Sequence, residues 1–247
     1  MQSIVASHKS LAFTSPTVRL ANVSFVAMRV GQKTIALALL LLLTVVSAFA
    51  RSRRHSTAEN SSGKFDYYLL SLSWAPTYCA EHPNDNSTEC RAGQRKTFVL
   101  HGLWPQSQSG APPENCGSAR PVSQQIVRHM LAYFPSDSLI QHEWAKHGTC
   151  SGLSAQDYFG KVEQAFRKVQ VPSQFTALSS QKDFSIKDVE ESFASTNHAP
   201  EQAFRVSCNV GDLANLEVCL SKELEYQFCT GSVHECVAGQ VRLRPPK

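Results

Sequence analysis

Residues 65–74 read Phe-Asp-Tyr-Tyr-Leu-Leu-Ser-Leu-Ser-Trp, an aromatic and aliphatic run of strand length. It predicts a buried strand. A second strand is expected at Thr97–Leu103, Thr-Phe-Val-Leu-His-Gly-Leu, closed by Pro105. Residues 105–120, rich in Ser, Gly and Pro with one cysteine, read as a stapled loop. A helix is expected from near Pro121 to the stop at Pro135, with Val122, Ile126, Val127, Met130, Leu131 and Phe134 facing inward. Ser154 with Asp157 forms a capping box for another, lined by Tyr158, Val162, Ala165, Phe166 and Val169. Ser185 with Asp188 repeats the pattern before Ile186, Val189 and Phe193. The last third changes character: Ala203–Cys208, Leu216–Leu220 and Val237–Leu243 read as strands separated by Gly or Asn turns. Helices grouped between strands imply an α+β domain with a central antiparallel β-sheet.

At 247 residues and 42% hydrophobic, the chain can bury a core and is not a disordered polymer. Residues 1–50 carry Lys9, Arg19, Arg29 and Lys33 and no acid, so of 24 basic residues 20 remain beyond them, matching 20 acidic ones. A polyanion would therefore be held by a local cluster. Residues 28–50 have the form of a signal peptide: Arg29 and Lys33, an apolar stretch from Ile35 to Val46, then Ala48-Phe49-Ala50. The apolar stretch is shorter than the about 20 residues a span requires. Cleavage is expected after Ala50, with no stable membrane span afterwards; an uncleaved anchor is the alternative, because Arg51, Arg53 and Arg54 follow directly. Residues 1–27 read as an extended or mis-assigned N-terminus, 51–64 as a flexible mature N-terminus, and 65–247 as the functional domain.

All eight cysteines (Cys79, Cys90, Cys116, Cys150, Cys208, Cys219, Cys229, Cys236) follow the leader. Their even number and the absence of any Cys-x-x-Cys favour disulfides in an oxidising compartment, secreted or periplasmic, over zinc. Spacing alone leaves their connectivity open. Asn60 and Asn86 begin glycosylation sequons.

Two segments carry chemistry: Phe98-Val-Leu-His-Gly-Leu-Trp-Pro105 and His142-Glu-Trp-Ala-Lys-His-Gly-Thr-Cys150. At about 100° per residue, His142, Lys146, Glu143 and His147 project near 0°, 40°, 100° and 140°, on one side of a helix. Gly148 is expected to end that helix and Cys150 to pin its end. A zinc-protease helix needs its histidines at i and i+4; here they are five apart, with Lys146 beside them, so no metal or other cofactor is expected. A solvated helix face would explain one histidine, but not this set together with His101 in an apolar strand. His55, His82, His129, His198 and His234 read as surface. One imidazole can act as base and another as acid, while a lysine steadies an anionic phosphoryl group. This set suits metal-free cleavage of RNA, whose 2′-hydroxyl is a built-in nucleophile.

The same two segments, with Phe65–Cys79, resemble the ribonuclease T2 family of secreted endoribonucleases, and the likeness extends to about Leu243. The resemblance implies a disulfide-stapled α+β domain with helices flanking the sheet. It implies His147 as general base toward the 2′-hydroxyl and His101 as general acid on the leaving oxygen. His142 would bind phosphate, Glu143 and Lys146 would stabilise pentacoordinate phosphorus, and Trp104 would stack in the first base pocket. Single-stranded RNA would be cut with low base specificity to 2′,3′-cyclic phosphate and then 3′-phosphate, often best at acidic pH. DNA would survive, and a monomer is expected. The resemblance also implies bridges Cys116–Cys150 and Cys208–Cys219, leaving Cys79 with Cys90 and Cys229 with Cys236. Gln106 stands where some relatives carry an acidic residue that helps read the base. Leu139-Ile140 replaces an aromatic pair, so the second base pocket is expected to be apolar without obvious stacking. A non-catalytic RNA-binding or extracellular recognition protein on the same fold is the alternative, and a metallohydrolase a more distant one.

Overall fold

A computed structural model describes residues 62–230, 236 and 239–246. The expected signal peptide, the segment before it, His55, His234 and Asn60 lie outside the described residues. In chain order the elements are β1 (Tyr67–Trp74), α1 (Ala75–Glu81), β2 (Phe98–Gln106), α2 (Gln124–Met130), α3 (Asp137–Lys146), α4 (Ala155–Lys168), α5 (Ser173–Thr176), β3 (Lys182–Ser185), α6 (Ile186–Asn197), β4 (Phe204–Asn209), β5 (Asp212–Leu220) and β6 (Gln240–Leu243). The fold is α+β. Strand order is β2-β1-β5-β6-β3, with β4 also paired to β5. The sheet is antiparallel except where β5 meets β6, through Asp212 and Arg242, so it is mixed rather than wholly antiparallel.

Alternation along β1 divides the molecule into two faces. Tyr68, Leu70, Leu72 and Trp74 enter the main core with Phe98, Leu100 and Leu103 of β2. Tyr67, Leu69, Ser71 and Ser73 take the opposite face. Helices cover the core face, where Tyr158 and Val162 of α4 and Val189 and Phe193 of α6 are fully buried. The Phe175 and Phe193 rings stack there, with centroids 5.5 Å apart. Both serines cap their helices: Ser154 Oγ accepts from the Asp157 amide and Ser185 Oγ from the Asp188 amide.

Several expectations need correction. The helix after Pro121 begins at Gln124, capped by Ser123, and Leu131 at its end is 44% exposed rather than inward-facing. Pro105 does not close β2 but lies within it, opposite Tyr68; this strand ends the sheet order, where a missing amide is tolerated. Ser62 and Gly63, from the segment read as flexible, are tied down: the Gly63 amide donates to Cys150 O at 2.8 Å. The helix α1, beginning at Ala75 with a proline in its first turn, had no periodic pattern to announce it.

Four disulfides staple the domain, consistent with an oxidising compartment. Cys79–Cys90 and Cys116–Cys150 form as implied, but Cys208 bonds Cys236 and Cys219 bonds Cys229. Register forbids a Cys208–Cys219 bridge. Cys208 lies opposite Leu213 on β5, at the far end of that strand from Cys219, so the two are about 20 Å apart at strand rise. A disulfide needs Cα atoms within roughly 7 Å.

Candidate active site

The cleft lies on the sheet face that carries Leu69, Ser71 and Ser73, where α3 crosses the edge of β2. Its shape depends on a bulge. Ser71 pairs with Gly102 and Leu72 with Leu100, so His101 is the extra residue of β2. An inserted residue lets two consecutive positions share a face. Leu100 and Leu103 stay in the core, while His101 lines the cleft, Gly102 faces Glu143, and Trp104 follows. Without the bulge, alternation would either bury the histidine or turn Leu103 out of the core.

The helix supplies the rest. Ser136 caps α3, its hydroxyl accepting from the Leu139 amide. Ile140 anchors the helix in the core. His147 takes the C-cap position and a 3-10 turn, Gly148–Cys150, continues from it. The α-helix does end just ahead of Gly148, as expected, but the glycine does not take the left-handed conformation. Its role is close packing, because a Cβ there would meet the Trp144 ring at 2.4 Å and Tyr158 at 3.0 Å. The Cys116–Cys150 bridge and a 2.7 Å bond from the Asn115 amide to Lys146 O fasten the preceding loop to this helix end.

His101, Trp104, Gln106, His142, Glu143, Lys146 and His147 all line one cleft of about 510 Å³. Trp104 joins its parts. Its ring stacks on His147 with centroids 5.0 Å apart and meets His101 edge-on at 5.3 Å. Its indole N–H donates to Glu143 Oε2 at 2.7 Å. The other carboxyl oxygen, Oε1, has no hydrogen-bond partner among the described residues and lies 3.6 Å from His101 Nε2. Gly102 makes this approach possible, since a Cβ there would sit 2.0 Å from Glu143 Oε2.

Burial sets the protonation of the cluster. It lowers His101 to about 4, helped by the neighbouring His142 and Lys146. It lowers His147 to about 3, with Lys146, His142 and His101 adding to the effect. Glu143 is buried and pushed up to about 8, despite the indole bond and Lys146, which both act the other way. Near pH 6 the two inner imidazoles and the carboxyl are thus neutral. His142 is exposed at the rim. Lys146 is paired with Glu114, Nζ to Oε1 at 3.3 Å. Among the described residues no group of three or more potential metal ligands forms.

Sequence reasoning missed several residues here. Glu114, Ser207, Asn215 and Glu217 also line the cleft. Ser73 Oγ lies 3.1 Å from His101 Nδ1. The serines of β1, alternating with leucines, were the available signal: they marked a polar-bearing face. His82, His129 and His198 are exposed, as expected. A second cavity, about 640 Å³, adjoins the first and shares His101 and His142. Leu139 lines it, but so do Tyr78, Asp85 and Glu89, while Ile140 lies in the core. Its lining surface is nonetheless mostly apolar.

The sequence model of the Ribonuclease T2 family matches residues 65–235. A ribonuclease of Aeromonas hydrophila is 39% identical over 119 residues, 48% of this chain and 53% of that protein. A probable ribonuclease of Haemophilus influenzae is 35% identical over 49% of this chain and 50% of its own length. The chain thus spans about half the length of these two relatives. Ribonuclease DdI of Dictyostelium discoideum is 26% identical, over 80% of this chain and 96% of its own length. Among solved structures, an RNase-related protein from Calystegia sepium superposes with a TM-score of 0.61 at 24% identity, covering 73% of this chain and 97% of that one. That likeness concerns the fold.

Proposed function

Because this chain belongs to the ribonuclease T2 family, we propose that it is an endoribonuclease that cleaves single-stranded RNA without a metal. One observation carries the reading: two imidazoles, a half-exposed one from a strand bulge and a buried one from a helix end, line the same cleft on either side of Trp104.

In the proposed reaction His147 takes the proton from the ribose 2′-hydroxyl. The freed oxygen attacks the adjacent phosphorus, and the bond from phosphorus to the 5′-oxygen breaks. His101 delivers its proton through Nε2 to that leaving oxygen, giving a 2′,3′-cyclic phosphate. In a slower second step water replaces the leaving alcohol, the two imidazoles exchange roles, and a 3′-phosphate results.

The resting cleft supports these roles. His147 is neutral over most of the accessible pH range, as a base must be. His101 must carry a proton, and the incoming phosphate supplies the negative charge that favours it. Glu143, neutral below about 8, can donate from its unpartnered oxygen to a phosphoryl oxygen. His142 and Lys146 hold the phosphate from the rim. Trp104 and Gln106 border the first base, and the adjoining cavity takes the second with low selectivity.

Among the described residues no helix is long and apolar enough to cross a membrane. We further propose that residues 28–50 are a signal peptide cleaved after Ala50, that residues 51–64 are the mature N-terminus, and that the catalytic domain of 65–247 acts as a secreted or periplasmic monomer.

The test is digestion of RNA and of defined dinucleotides in excess chelator. Cyclic phosphate ends should appear, and DNA should survive because it lacks the attacking hydroxyl. Loss of activity on chelation, or cleavage of DNA, would overturn the reading.

A further inference from the structure

His101 does not stand alone on its bulge. Its Nδ1 lies 3.1 Å from Ser73 Oγ, Ser73 Oγ donates to Asn215 Oδ1 at 2.9 Å, and Asn215 Nδ2 donates to Ser207 Oγ at 3.0 Å. The chain crosses the sheet along one row: Ser73 of β1 pairs directly with Asn215 of β5, and Asn215 with Ser207 of β4. A second register shift falls between Ser207 and Cys208, beside that row.

The orientation of the Asn215 amide, taken with a count of protons along the row, sets its direction. A side-chain amide has a donor end and an acceptor end, and a serine hydroxyl has one proton. With Nδ2 turned to Ser207, Asn215 presents Oδ1 to Ser73. Ser73 gives its only proton to Oδ1, so toward His101 its oxygen can only accept. The proton between them must then belong to Nδ1, leaving the lone pair of the neutral ring on Nε2, the nitrogen nearest Glu143 Oε1.

We propose that Ser73, Asn215 and Ser207 form a directional hydrogen-bond chain that holds His101 in the Nδ1–H tautomer, so that Nε2 alone accepts and releases the catalytic proton. The proposal deepens the ribonuclease reading and rests on it. The three are positioning residues: they act through His101 and need touch no substrate. When His101 gains its proton both ring N–H groups already have acceptors to face, Ser73 on one side and the cleft on the other, so the ring need not flip during turnover.

The test is imidazole nitrogen NMR on the folded, disulfide-intact protein at a pH above the His101 titration, with steady-state rates alongside. In the wild type, His101 should show a protonated Nδ1 and an unprotonated Nε2. Ser73→Ala removes the acceptor and Asn215→Ala frees the serine proton to point at Nδ1; both should shift the ring toward the Nε2–H tautomer. Each should lower kcat about 10-fold with little change in KM, a fraction of the roughly 10²–10⁴-fold that loss of the acid itself costs. Ser73→Thr keeps the hydroxyl and should restore tautomer and rate. A wild-type Nε2–H tautomer, or signals unmoved in both alanine variants, would overturn the proposal. If His101→Ala abolishes cleavage while Ser73→Ala leaves rate and tautomer intact, only the chain fails. If His101→Ala cleaves at full rate, the ribonuclease mechanism fails with it.

Discussion

His147 stands at the end of a helix whose own geometry gathers its companions, whereas His101 stands on a bulged strand whose companions come from three other strands. On the helix side, His142, Glu143, Lys146 and His147 meet because residues at i, i+1, i+4 and i+5 share a side. Charge and covalent bonds hold them: the Lys146–Glu114 pair and the Cys116–Cys150 bridge. On the strand side no formal charge holds His101. Ser73, Asn215 and Ser207 do so with neutral hydrogen bonds set by sheet register. Local geometry thus places the groups of the helix side, while long-range register governs the orientation of His101. Trp104 and Gly102 are the seam where the two regions touch.

Removing either histidine breaks the comparison at its strongest point. His101→Ala and His147→Ala should each lower kcat by about 10²–10⁴-fold, with folding unchanged by circular dichroism. Glu143→Gln should cost less than either, because an amide oxygen can still accept from the Trp104 indole. Gly102→Ala attacks the seam instead. Its Cβ would collide with Glu143 Oε2, pushing the helix side off the strand side, and overpacking of this kind costs about 1–3 kcal/mol. A melting temperature and kcat that fall together would show that the two regions move as one; a loss of stability alone would separate them.

A smaller effect sharpens the strand side. Glu217, on the same face as Ser71 and Ser73, is buried and raised to about 7 by desolvation. The folded state therefore holds this proton more tightly than the unfolded chain, and wild-type stability falls as pH rises from about 4.5 to about 7. Glu217→Gln stays neutral throughout. It should be more stable than wild type by about 1–3 kcal/mol at alkaline pH, with the difference vanishing well below the ordinary carboxylate pKa. Denaturant midpoints at the two extremes measure it.

The same contrast explains what could be read from the sequence. Helical spacing is local, so the cluster of residues 142–147 was legible before any fold was known, as were the caps at Ser154 and Ser185. Strand partners are not local. Nothing near Ser73 in the chain announces Asn215, and the bulge at His101 leaves the run Phe-Val-Leu-His-Gly-Leu looking like an ordinary strand. The two mispaired disulfides failed for this reason too: the family resemblance implied Cys208–Cys219, while the β4–β5 register sets these residues at opposite ends of β5. Gly148 marks the helix end as its place in the sequence implied, but for another reason. A glycine after a helix suggests a turn in the left-handed region, but here it makes room for the Trp144 ring.

The pH dependence of kcat/KM, measured in chelator for the wild type and both histidine variants, tests the paired roles most directly. His147 must be neutral, so the rate should rise through about 3; His101 must be protonated, so it should fall beyond about 4. The account predicts a bell whose maximum lies well to the acid side of ordinary histidine, with His147→Ala losing the rising limb and His101→Ala the falling one. A flat profile from acid to neutral pH, or limbs that survive both substitutions, would contradict it.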